Sequence, residues 1–414
     1  MNKKKSYFNI ILILGLLTAI GPFSIDMYLP AFPAIAAGLN TTVAQVMLSL
    51  SSFFIGISAG QLIYGPLLER FGRKKPLYFG LVAYLVASAG CVFTSSVESL
   101  IWFRFLQALG SCAGMVTSRA IVRDLFEVKD NARVFSSLML VVAVSPIIAP
   151  TVGGYVTAAF GWRYVFAVLM AVDVLIILAV ILWLPESKAG NPHHSLKPQD
   201  VTRNFFNILV HPQFYIYALT GAVTASGLYA YISGSPQVFI ELFGVSEKQY
   251  GWIFAIIAVG IITMSQVNTL MLKKHHSEKI IRTALIIQSA IGLALVAVAF
   301  FHIGGLYVTI ALIFLYVSCQ GFIFPNASAL TLAAFGHSAG NASALMGAIQ
   351  MGIGALASAS VSFLQNHTAV PMTGVMAICS VTALIIFSFR SSRNVKEPSV
   401  LEVKEEDIEM VSEL

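Results

Sequence analysis

Charge is what this chain most lacks. Only 11% of its 414 residues are charged, 57% are hydrophobic, and the mean hydropathy is +0.82. Soluble domains carry about 25% charged residues. This composition cannot clothe a water-facing surface, so a soluble enzyme, a nucleic-acid-binding protein and a disordered chain are excluded. Cysteine is also scarce: Cys91, Cys112, Cys319 and Cys379 lie scattered in apolar stretches, without the spacing of a disulfide framework or a metal site. No His, Cys or acid cluster has ligand spacing, and no G-x-S-x-G nucleophile motif occurs. A membrane-embedded enzyme or receptor is therefore the weakest rival, and no cofactor or metal is expected. A cleavage site is missing as well. The opening apolar run is too long for a signal peptide and is expected to stay as the first span.

What the chain has instead is long apolar runs. Crossing roughly 30 Å of hydrocarbon takes about 20 apolar residues. Six such runs (8–29, 43–65, 77–94, 100–122, 134–157, 162–184) precede six more (213–235, 249–271, 283–301, 306–328, 341–364, 370–389). They are continuous rather than alternating, which excludes a β-barrel. The expected fold is an all-α integral membrane protein of twelve transmembrane helices in two six-helix bundles, 1–184 and 213–390. The segment 185–212, with four prolines, reads as a cytoplasmic linker, and 391–414 as an acidic cytoplasmic tail. A 6+6 plan suggests duplicated bundles related by an axis along the membrane normal.

Lysine and arginine set the orientation. With both termini in the cytoplasm, 22 of the 25 basic residues fall inside, and only Arg104, Arg163 and Lys248 fall on or near the outer side. One missed helix would scramble that asymmetry. The net charge of +6 is thus topological, and no nucleic-acid partner is implied.

Four segments carry chemistry. After span two stands Gly65-Pro-Leu-Leu-Glu69-Arg70-Phe-Gly72-Arg73-Lys74-Lys75. Its glycines permit a tight turn and close backbone approach, and its charges can pair with helix ends. Arg73 is expected to pair with Asp124 and latch the outward-facing state. Span four opens with Arg104-x-x-Gln107 and closes with Arg119 and Arg123-Asp124; Arg104 in the outer part of an apolar helix must pair or snorkel. Span five holds Ser145-Pro146, Ala149-Pro150 and Gly153-Gly154, in which prolines free backbone groups and the glycine pair allows close helix contact. Only two acids lie inside spans, Asp26 and Asp173. Asp26 lies 18 residues beyond Phe8, roughly 27 Å along the helix, which places it in the outer half near the depth of Arg104. An intramembrane acid is a functional hypothesis by default; the alternative for Asp26 is a solvated acid capping the helix end.

The span-two link resembles the signature loop of the major facilitator superfamily, with Glu69 where Asp is usual, and the span-five run resembles its exporter motif. Ser24-Ile-Asp26-Met-Tyr28-Leu-Pro30, Tyr229-Ala-Tyr231-Ile-Ser233-Gly-Ser-Pro236 and Asn341–Gln350 narrow the match to the bicyclomycin-resistance branch, from about residue 8 to 390. That resemblance implies a proton-coupled antiporter that exports a small amphipathic drug or metabolite. It implies Asp26 as proton carrier with Arg104 as electrostatic partner, and Tyr28, Gln107, Tyr229, Tyr231 and Ser233 at the substrate. Gly65, Glu69, Arg70, Gly72, Arg73, Arg123 and Asp124 would gate, and Pro146, Pro150, Gly153 and Gly154 would form the moving fifth-helix contact. A bacterial inner membrane, a lipid environment and a monomer are expected. The rival within the fold is a proton-coupled nutrient symporter. Asp173, at the middle of span six, is not explained by the resemblance.

Overall fold

The computed structural model describes residues 3–126, 128–191, 198–335 and 339–389, and among them the regular structure is all helix. Hydrocarbon offers backbone groups no water, so an apolar chain must satisfy them internally, and helices do so. The first half comprises α1 (Lys3–Asp26), α2 (Phe32–Gly38), α3 (Val43–Phe71), α4 (Lys74–Phe93), α5 (Val97–Leu125), α6 (Val128–Phe160) and α7 (Arg163–Trp183). The second comprises α9 (Pro212–Pro236), α10 (Glu247–Met271), α11 (Ser277–Phe300), α12 (Gly305–Ser318), α13 (Gln320–Leu332), α14 (Ala339–Phe363) and α15 (Val370–Ser388). Between them lies α8 (Pro198–Leu209).

Eleven helical segments among the described residues are long and apolar enough to cross a membrane, with α1–α2 and α12–α13 each counting as one. The twelfth expected span is α9, which has 25 residues but many hydroxyls and glycines and is buried along most of its length. Protein rather than lipid surrounds it, so it need not be strongly apolar. The linker is less irregular than its composition indicates. Ile208 of α8 is 4% exposed and packs with Phe214, Ala342 and Leu345, seating the linker helix on α9 and α14. The tail 391–414 lies outside the described residues.

Contacts between helix ends define two faces. The far face gathers Gly38 against Trp162, Arg163 Nη2 on Thr94 O at 3.1 Å, and Ser362 Oγ on Ala44 O at 2.5 Å. The opposite, basic face carries the links Glu69–Lys75 and Lys273–Lys279. Toward the far face one hydrophobic core runs through both halves, joining Tyr28, Phe54, Phe166, Tyr229, Phe254 and Met372. Toward the basic face the core divides. Leu14, Leu81, Ile121 and Ile176 form a cluster in the first half, and Leu285, Ile323, Leu330 and Phe387 form one in the second. The halves are therefore sealed together at the far face and hold separate cores toward the basic face, while α3 and α14 pack along one another between them.

Candidate functional site

Helix α1 stops at Asp26 because Pro30 and Pro33 follow and offer no N–H to continue it; a 3-10 turn Leu29–Ala31 takes the chain on. This break puts Asp26, 4% exposed, where the two halves meet. Ser145 of α6 faces its carboxyl, and Tyr229 and Tyr231 of α9 and Tyr250 of α10 lie within electrostatic reach of it. Ser145 Oγ and Tyr231 Oη make no hydrogen bond among the described residues. The carboxyl thus sits among hydroxyls drawn from both halves. Tyr250 was not expected from sequence; its position one turn into α10, behind the Ser246–Gln249 capping box, is the only local signal.

Arg104 does not bind Asp26. The guanidinium is fully buried inside the first half, where Nη1 donates to Gln107 Oε1 at 2.6 Å and Nη2 to Ser24 O at 3.0 Å. Phe53 and Tyr28 cover it with ring centroids at 4.2 and 4.5 Å, and Phe166 lies at 5.9 Å. Ser24 O is open to Arg104 because the helix ends two residues later. The expected electrostatic partner of Asp26 thus contacts Ser24, two residues before it, rather than the acid itself. Two substrate-site expectations are corrected with it. Gln107 is fully buried and donates Nε2 to Ser88 Oγ at 2.8 Å, and Tyr28 Oη pairs with Ser49 Oγ at 2.6 Å. Both side chains are spent on packing within one bundle.

Tyr229, Tyr231 and Ser233 do lie between the halves. The Tyr229 ring sits 4.8 Å from that of Phe54, Gln350 Nε2 donates to its hydroxyl at 3.2 Å, and Gly354 leaves it room. Tyr231 stacks on Phe254 at 5.6 Å. Ser358 Oγ donates to Ser233 Oγ at 3.0 Å and meets Ser51 Oγ of the first half at 2.8 Å, giving a hydroxyl chain across the interface. Ser58 Oγ extends the contact by donating to Ala348 O at 2.7 Å.

The α6 motif seals the far face. A Cβ on Gly153 would sit 2.0 Å from Met27 O, and one on Gly154 would sit 2.4 Å from Glu247 O at the start of α10. Pro150 and Thr151 backbone atoms in turn crowd Gly251. Pro146 and Pro150 both lie inside the uninterrupted α6.

On the basic face Arg73, 2% exposed, donates Nε to Asp124 Oδ2 at 2.7 Å and Nη2 to Asp124 Oδ1 at 3.2 Å. Its Nη1 reaches Glu69 Oε1 and Leu68 O, each at 3.1 Å. Burial works against the Arg73 charge, but Asp124 and Glu69 outweigh it and hold its pKa above the ordinary arginine value. The expected Arg73–Asp124 pair is thus formed in the structure. All its members belong to the first half. Gly72 has φ +83 and turns the chain where Lys188 O lies close by, whereas Gly65 has nothing within 4 Å and makes no close approach. Arg123 is exposed, with its guanidinium near Gly340 of α14.

Sequence reasoning missed the strap that follows α7. Helix α4 has no side-chain cap of its own, and Arg73, Lys74 and Lys75 crowd its N-terminus, where positive charge is unfavourable. Glu186 supplies the missing anion: Arg73 N donates to Oε1 at 2.7 Å and Lys74 N to Oε2 at 3.2 Å. Ser187 Oγ donates to Asp124 Oδ2 at 2.9 Å, Lys188 Nζ to Glu69 Oε2 at 2.9 Å, and Asn191 N to Glu69 O at 2.9 Å. Glu186→Gln should lower stability by only ~1 kcal/mol, as expected for an exposed cap. It should nevertheless reduce transport by loosening the signature loop. Thermal unfolding beside transport assays separates the two effects, and equal losses in both would make the strap merely structural. Charge reversal at Arg73 or Asp124 alone should impair transport. The double swap should recover part of it, with a coupling of about 1–3 kcal/mol. Recovery stays incomplete because Glu69 and Ser187 hold the original polarity. No recovery, with normal expression, would count against the direct pair acting in transport.

The comparisons with known proteins agree with one another. Residues 14–359 match the Major Facilitator Superfamily. The bicyclomycin resistance protein homolog of Haemophilus influenzae is 32% identical over 396 residues, covering 96% of this chain and 99% of that one. The chloramphenicol resistance protein of Pseudomonas aeruginosa is 28% identical, covering 93% and 91%. Among solved structures, a D-xylose-proton symporter superposes with a TM-score of 0.74 at 15% identity, covering 94% of this chain and 99% of that one. At that identity the likeness concerns the fold. A buried acid between two helical halves, a capped signature loop and these relatives all point to a transporter rather than an enzyme: the chain belongs to the major facilitator superfamily, in its bicyclomycin-resistance family.

Proposed function

We propose that the chain is a proton-driven antiporter that exports small amphipathic drugs or metabolites by alternating access. The observation that carries this reading is Asp26, a buried carboxyl facing Ser145, Tyr229, Tyr231 and Tyr250 at the junction of the halves. On this reading the basic face is cytoplasmic, the membrane is the bacterial inner membrane, and the sealed far face supports an inward-facing state. Substrate enters between the separate cores at the basic face and meets Tyr229, Tyr231 and Ser233. Arg104 holds the end of α1 so that Asp26 keeps its place, and the resistance proteins among its relatives support a drug as cargo. Each coupled proton supplies about 2.3 kcal/mol per 100 mV of membrane potential. The protein works as a monomer in lipid, with protons and the small molecule as its partners.

The competing reading is a nutrient symporter of the same fold, since function lives in the site rather than the scaffold. Everted membrane vesicles discriminate. An exporter accumulates chloramphenicol or bicyclomycin in them when energised and loses it on uncoupling. Accumulation only in right-side-out vesicles would overturn the export reading.

A further inference from the structure

Asp173 has no role in the mechanism above, yet it is the second acid within the spans. It is fully buried in α7, and neither carboxyl oxygen has a hydrogen-bond partner among the described residues. Its neighbours Val172, Val174 and Leu175 are exposed on the lipid-facing side, so the acid points into the bundle. Helices α1, α4 and α6 pack on α7, and no described residue on them sets a formal charge beside it. A bare carboxylate buried without a partner is strongly disfavoured, so Asp173 carries its proton in the state described. Its O–H is then a donor with nothing to donate to, which is also an unfavourable arrangement.

Among the described residues, the hydroxyl of Tyr84 on α4 lies within electrostatic reach of it. That hydroxyl is already committed: Tyr84 Oη pairs with Ser24 Oγ at 2.6 Å. Ser24 in turn gives its carbonyl to Arg104 Nη2 at 3.0 Å and stands two residues before Asp26. Gln107, Ser88 and the Tyr84 carbonyl close the network, with Gln107 Nε2 on Ser88 Oγ at 2.8 Å and Ser88 Oγ on Tyr84 O at 2.7 Å. Tyr84 therefore stands between two claims on one hydroxyl. Bonded to Ser24, it steadies the helix end that carries Asp26. Turned to an ionised Asp173, it satisfies that charge and releases Ser24. Among the described residues Arg104 of α5 is the cation acting on Tyr84, but it makes no hydrogen bond to that hydroxyl: Nη1 goes to Gln107 and Nη2 to the Ser24 carbonyl, while the buried Nε has no partner.

We infer that Asp173 is a second proton-exchanging carboxyl of this transporter, linked to the Asp26 site through Tyr84 and Ser24. The inference rests on the proton-coupled reading above. Loss of the Asp173 proton draws Tyr84 away from Ser24, and the freed α1 end changes how Asp26 holds its own proton. No bond is made or broken beyond the O–H that exchanges with water.

The test is pH-jump infrared difference spectroscopy on the purified full chain in phosphatidylethanolamine–phosphatidylglycerol liposomes, with the pH change itself as the probe. The wild type should show two titrating carboxylic C=O bands. Asp173→Asn should remove one and displace the titration of the other, while Asp26→Asn removes the other. Tyr84→Phe keeps the ring and the packing, and should displace both titrations without removing either band. A spectrum unchanged by Asp173→Asn at every pH would overturn the proposal. So would an Asp26 titration indifferent to both Asp173→Asn and Tyr84→Phe. An Asp173 band that persists while Asp26→Asn changes nothing would instead count against the assignment of Asp26 as proton carrier. If Asp173→Asn does not insert, the Tyr84→Phe displacements decide by themselves.

Discussion

Asp26→Asn should reduce drug accumulation in energised everted vesicles to the level of uncoupled ones. Asparagine has nearly the shape of the protonated acid, so substrate still binds, but release is no longer tied to loss of a proton. The forfeited drive amounts to about 50-fold in accumulation for each coupled proton at 100 mV. Downhill exchange of drug across the same liposomes should survive, which separates uncoupling from misfolding. Asp26→Glu keeps a titratable group on a longer arm, and should retain partial activity with a displaced pH profile. A helix-capping acid makes the opposite forecast, because asparagine is itself a good cap and would be nearly silent. The measurement is substrate-induced proton release in proteoliposomes, and wild-type release from the Asn variant would remove Asp26 from the coupling mechanism.

The second large effect is expected at Gly154, where one methyl group is enough. Its ideal Cβ lies 2.4 Å from the Glu247 carbonyl oxygen, a backbone atom that cannot rotate aside. Gly154→Ala must therefore part α6 from α10 at the far face, and overpacking of this kind costs ~1–3 kcal/mol. Placed on only one of two alternating states, that cost shifts their balance by about 5- to 150-fold. Transport should collapse while insertion stays normal, since alanine and even leucine are well tolerated by lipid. A Tyr231→Cys reporter should become reactive to a membrane-impermeant thiol reagent from the far face in the Gly154→Ala background. The four native cysteines are buried and leave the assay clear. Unaltered efflux in this variant would show that the glycine pair is not at a moving contact.

The spans were legible because hydropathy acts over some 20 residues and needs no knowledge of neighbours. The span at α9, rich in hydroxyls and glycines, still read as a span by length, although protein rather than lipid surrounds it. Arg73 and Asp124 could be matched from sequence since both stand at helix ends on one face. Glu186 could not be: an exposed acid in a proline-rich linker has no local pattern to distinguish a cap from a solvated charge. Tyr28 and Gln107 were misplaced for a related reason. A helix buried on most sides does not reveal which side faces its own bundle and which faces the opposite one. Arg104 shows the same limit, because the rings that shelter it, Phe53 and Phe166, come from α3 and α7 and look like ordinary apolar residues.

The strap after α7 has a consequence for anyone who divides this protein into separately expressed fragments. By hydropathy the first fragment ends near Leu184, but a chain cut there leaves the α4 N-terminus with three cations and without the Glu186 carboxylate that caps its backbone. Cut after Asn191, the same fragment keeps Glu186, Ser187 and Lys188, and with them their contacts to Arg73, Asp124 and Glu69 in and beside the signature loop. The two fragment pairs differ by the seven residues 185–191, yet only the longer one should reassemble into a transporter whose loop is held.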